Sequence, residues 1–136
     1  MKSFVIWLGI ALATFGTGAG AYHSYLENDP RLVLVIVDSA FEMRKALDSA
    51  KSKALQLATH PYSKVALYTE RARVHGWADS VSPARISAYG PRNFERLTTG
   101  ALGPEFAEAD IVHFVTNAPA AQLANLPSHW QVHQPR

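Results

Sequence analysis

Asp38 follows the apolar run Leu32 to Val37 and stands at the carboxyl end of what reads as a buried strand. Open α/β sheets place ligands outside such ends, so a carboxylate there suits acid–base work or ligand binding. Ser39-Ala40-Phe41-Glu42 follows and reads as a capping box, with Ser39 as N-cap and Glu42 reaching back. His113 lies inside the apolar IVHFVT run, where hydrogen bonding in the core is its expected role. His129 and His133 are spaced to chelate a metal on a helix. Pro127 and the alternation HWQVH put them on a strand or tail instead, roughly 13 Å apart. Gly16-Thr17-Gly18-Ala19-Gly20-Ala21 imitates a dinucleotide fingerprint, but it follows no strand and sits in an apolar segment. The chain has no Gly-x-Ser-x-Gly, HExxH or phosphate-binding Gly-Lys-Ser/Thr sequence. It also has no Cys, which excludes disulfides, thiolate catalysis and Cys-ligated metals.

The elements that must position these residues alternate in kind. Leu32–Val37 suits a central parallel strand. Met43, Leu47, Ala50, Ala54 and Leu57 then form the apolar stripe of a helix that His60-Pro61 ends. Lys64–Thr69 is a second strand. In Arg71–Trp77, Arg71, Arg73 and His75 alternate with Ala72, Val74 and Gly76, the pattern of a half-solvated edge strand. Residues 78–108 are broken by Pro and Gly and leave room only for short helices, over Pro83–Ala88 and Arg92–Leu97. Ile111–Thr116 is another buried strand, Ala120–Leu126 a short helix, and Trp130–His133 a last edge strand. This order predicts an α/β domain with a small, mainly parallel sheet and flanking helices.

No Asp, Glu, Lys or Arg occurs from Phe4 to Leu26. At about 1.5 Å per helical residue this run crosses the roughly 30 Å hydrocarbon core of a bilayer. As an anchor it puts Trp7 at one interface and Tyr22 and Tyr25 at the other. Gly16 and Gly20 then form a GxxxG pair that lets another membrane helix approach. As a signal peptide it has Lys2 as basic region and Ala19-Gly20-Ala21 as cleavage site. In both cases Lys2 stays cytoplasmic and Glu27 onward lies outside. The expected organisation is residues 1–26 as transmembrane helix or signal, 27–30 as linker, and 31–136 as the extracytoplasmic domain.

The wording of the soluble part resembles a von Willebrand factor type A domain in four places. They are LVLVIVDSAFEM, KVALYTERARVHGW, LTTGAL at Leu97–Leu102, and IVHFVTNAP. The resemblance implies a vWA/Rossmann-like fold, shortened at this chain length. It also implies a metal site built from an Asp-x-Ser-x-Ser loop, a Thr from a second loop and an Asp from a third. Here Asp38 fills the first position, but Ala40 and Glu42 replace the two Ser ligands. Thr98 or Thr99 would supply the Thr, and Asn117 stands where the last Asp belongs. A hard cation needs several oxygen ligands. Asp38, Glu42, Thr98 (or Thr99) and Asn117 are the weak candidates for Mg²⁺ here, and the set is degenerate, so no metal or other cofactor is expected.

The formal charge of +2 is scattered, which gives no support for nucleic-acid binding. Trp77, Tyr89, Arg92, Phe94 and Trp130 are candidates for a protein interface, or else the aromatics fill the small core. The expected protein is a non-catalytic accessory subunit of a membrane complex, with integral membrane subunits and lipid as partners. The alternatives are a metal-dependent vWA-type binding module and a small extracytoplasmic enzyme using Asp38.

Overall fold

A computed structural model describes residues 2–135. Contacts divide the chain into two units at the Pro30–Arg31 junction.

The first unit is one helix, α1 (Lys2–Asn28). Its span Ser3–Asn28 is long and apolar enough to cross a membrane, a test that a signal sequence also passes. The helix runs through Glu27 and Asn28, so the expected linker shrinks to Asp29-Pro30. Nothing before Pro30 breaks it, and His23 and Glu27 add an i,i+4 pair at 3.2 Å.

The second unit is a five-stranded sheet. Its elements are β1 (Arg31–Val37), α2 (Leu47–Ala58), β2 (Ser63–Thr69), β3 (Arg73–Ala78), α3 (Glu95–Thr98), α4 (Glu105–Glu108), β4 (Ile111–Val115), α5 (Ala120–Leu123) and β5 (Gln131–His133). The strand order is β3-β2-β1-β4-β5. β1 pairs in parallel with β2 and β4, and β4 with β5; only β3 is antiparallel. The α/β class, the central place of β1 and the two edge strands agree with the sequence reading. The sheet is mixed and mostly parallel.

Alternation along each strand divides the core. Val33, Val35, Val37, Val65 and Leu67 meet Ala50 and Ala54 of α2, and Met43, on one face. Leu34, Ile36, Ala66, Tyr68, Val112 and Phe114 fill the other face. That face is closed by short pieces: Leu97 of α3, Phe106 of α4, Leu123 of α5 and Trp130. Phe114 is fully buried and meets Phe94 edge-to-face at 5.1 Å, an arrangement aromatic quadrupoles favour.

The capping box does not form. Phe41–Met43 is a single 3₁₀ turn, and α2 starts later, at Leu47, behind Ala46 with no side-chain cap. Ser39 is diverted: its amide and its hydroxyl both donate to Glu70, at 2.7 and 2.9 Å. A buried charge-assisted pair outcompetes an exposed helix cap. Pro83–Arg85 is likewise a 3₁₀ turn rather than a helix to Ala88, and α3 is only the last part of the expected Arg92–Leu97.

Candidate functional site

The order in which strands are added to the sheet reverses at β1, with β2 on one side and β4 on the other. That switch point is where ligands of open α/β sheets collect. Each strand there ends in a buried polar group: Asp38 after β1, Thr69 and Glu70 after β2, Thr116 after β4. β1 continues into Asp38, whose amide donates to the Val115 carbonyl at 2.9 Å.

Asp38 is fully buried and satisfied at both oxygens. Oδ1 accepts from the Ala40 amide at 3.0 Å, a local Asx turn. Oδ2 accepts from Thr116 Oγ1 at 2.6 Å and from Arg92 Nε at 2.9 Å. The Arg92 side chain is only 9% exposed. Its Nη1 donates to Gln122 Oε1 at 3.3 Å, and its Nη2 donates to Asn117 Oδ1. One planar guanidinium therefore joins the carboxylate after β1 to the amide after β4. Asn117 is held in turn, with Nδ2 donating to the Glu42 carbonyl at 3.0 Å.

A second buried pair lies beside the first. Glu70 takes Ser39 on one side and Arg71 Nε, at 3.0 Å, on the other. The loop before Arg92 crosses these groups. Tyr89 N donates to Ser39 O, and Gly90 O accepts from Phe41 N. Gly90 sits at φ +75, and a Cβ there would meet the Arg71 guanidinium at 2.7 Å, so glycine is required. The Arg71 guanidinium also lies 5.2 Å from the Tyr89 ring.

Of the metal candidates, Asp38 and Asn117 are brought together, but on a guanidinium. Glu42 and Thr98 line a cavity of about 560 Å³ with Arg92, Phe94, Glu95 and Gln122; Asp38 does not line it. The Thr98 and Thr99 hydroxyls donate within their own helical turn, to Glu95 O and Arg96 O. Among the described residues no three His, Cys, Asp or Glu side chains cluster as metal ligands.

Of the interface candidates, Trp77, Phe94 and Trp130 pack onto the second core face and Arg92 is in the ion pair. Tyr89 is the exposed one, at 47%. Gly16 and Gly20 both lie on α1, four residues apart and so on one side of the helix.

Two further clusters escape sequence reading. Tyr68 donates to Glu105 at 2.6 Å, and Arg73 pairs with the other Glu105 oxygen at 2.9 Å. Burial, then the hydrogen bond and charge of Glu105, push the Tyr68 phenol well up. Burial pushes Glu105 up, but the Tyr68 hydroxyl, its own backbone and Arg73 outweigh that, and it lies below the usual carboxylate value. His113 Nδ1 and His133 Nε2 are 3.0 Å apart across β4 and β5. Burial first, then His133, His60 and Lys53, hold His113 down to about 4. Burial and Lys53 hold His133 below its ordinary value. The separation of His113 from His133 along the chain hides this pair, as does that of Arg92 from Asp38. Comparison with family models, with curated proteins and with solved structures finds no match to this chain.

Proposed function

We propose that this chain is a non-catalytic accessory subunit of a membrane protein complex. α1 holds it in the bilayer with the amino terminus cytoplasmic, and the α/β domain docks outside the membrane. The observation that carries this reading is Arg92. Its guanidinium fills the switch point and takes up Asp38 and Asn117 together. A catalytic acid or a cation ligand must be within reach of substrate or ion; Asp38 is fully buried and its oxygens already take three donors. The domain is read as a vWA-type fold whose metal position is replaced by an internal cation. Supporting this are the Asp38 and Asn117 placements at the ends of β1 and β4 and the β2–β3 strand pair. The Gly16–Gly20 GxxxG spacing on α1 supports integral membrane subunits as partners, with lipid around the rest of α1.

Intact mass and co-purification from mild-detergent membrane extracts test the reading. A full-length mass with stoichiometric integral-membrane partners is the expected result. A mass beginning at Tyr22, with recovery in the soluble extracytoplasmic fraction, overturns the anchored subunit and makes α1 a signal.

A further inference from the structure

A second cavity, of about 690 Å³, lies between α2 and β5, away from the switch point. Its polar wall is made of Ser49, Ser52, Lys53, Gln56, His133 and Gln134, and no lining residue carries a side-chain carboxylate. Lys53 Nζ donates to Gln56 Oε1 at 3.1 Å. The ion pairs among the described residues are His23–Glu27, Glu70–Arg71, Arg73–Glu105 and Asp38–Arg92, so the Lys53 charge is not neutralised by any of them. Behind the wall, His133 uses Nε2 against His113, which leaves Nδ1 as the nitrogen outside that contact.

We propose that this cleft binds a small oxyanion, of the phosphate or sulfate class, with Lys53 as the fixed cation and His133 as a second donor that gains charge on binding. Ammonium, amide and imidazole N–H groups, with no side-chain carboxylate among the described lining residues, are the donor set such an anion needs. Burial is the largest cause of the lowered pKa of both imidazoles. Of the charged groups around them, Lys53 from α2 acts on both and His60 from the turn after it acts on His113. Each opposes a proton there. An anion seated on Lys53 offsets the Lys53 part of that opposition and itself favours a charged His133, so binding tightens as pH falls. The same chemistry is offered by a free oxyanion and by a phospholipid headgroup.

Sulfate is the probe, because it does not itself titrate in this range. Full-length protein in phosphatidylcholine nanodiscs is titrated with sulfate against chloride of equal ionic strength, with the His113 and His133 ring resonances as readout. The expected result is a saturable sulfate shift, about fivefold or more tighter near pH 5.5 than near pH 7.5, and weakened by at least about that factor in Lys53→Gln. Lys51→Gln, on the same helix outside the cavity wall, leaves it unchanged. Discs containing phosphatidylglycerol, without sulfate, distinguish the source: the same shift there assigns the site to a headgroup, and its absence there assigns it to a free anion. No saturable shift in either disc overturns the proposal, as does an equal response to chloride or to sulfate in Lys53→Gln.

Discussion

Removing Arg92 leaves Asp38 as a buried carboxylate with only Thr116 and the Ala40 amide as donors. Breaking a buried pair from one side costs about 3–5 kcal/mol, because the remaining charge is uncompensated. Arg92→Ala should therefore lower the unfolding free energy of the full-length protein, read from urea denaturation, by that amount. Asp38→Asn combined with Arg92→Met should recover most of it, since the double change removes both charges. Magnesium supplies a further check. If the guanidinium is a resident replacement for a metal, millimolar Mg²⁺ leaves the wild-type melting temperature unchanged; a rise in the wild type restores the metal-dependent module. At this scale the sequence shows half of the site. Asp38 and Asn117 are visible because each follows an apolar strand run. Arg92 is not: it reaches Asp38 across 54 residues of Pro- and Gly-broken chain, and no local pattern encodes that.

Elements differ in how securely they are attached. β5 has three residues and pairs only with β4. His113 and His133 join the two strands, and both imidazoles have lowered pKa values. A depressed base favours folding fully above its unfolded pKa, roughly 6.5 for His. That contribution is lost as pH falls toward the folded value of about 4 for His113. Stability should therefore decline progressively between those limits, and His113→Phe should flatten the decline in a pH series of thermal melts. The depressed carboxyl of Glu105 adds its loss lower still, beneath about pH 4.5, where the unfolded chain takes up the proton first. For α1, the proposed accessory-subunit role predicts that Gly16→Ile with Gly20→Ile strips the protein from membrane partners in a pull-down without changing the domain's melting temperature. Strand assignments came through from sequence because β1, β2 and β4 are apolar runs with one interpretation at that length. The start of α2 did not, because Glu70, a distant residue, takes the Ser39 that would have capped it.

Across the whole domain, protection should follow the sheet from its centre outward. β1 is flanked on both edges and covered on both faces, so its amides should exchange most slowly by hydrogen–deuterium exchange, and those of β3 and β5 fastest. The two-sided core also explains why the second face was hard to read. It is closed by helices of four residues and by single aromatics, which carry no helical period long enough to detect.

The reach of the Asp38–Thr116 bond bears on how the chain is made. The two residues are 78 positions apart, and Leu32 is joined to Asp110 across the same interval. β1 finds β2 early, but its other edge has no partner until β4 has been synthesised. During that interval the nascent domain carries an unsatisfied carboxylate and an open apolar strand, the features that recruit chaperones and invite mispairing. Maturation is thus gated by the arrival of β4, and truncation before it should yield a product cleared by proteases rather than a smaller folded one.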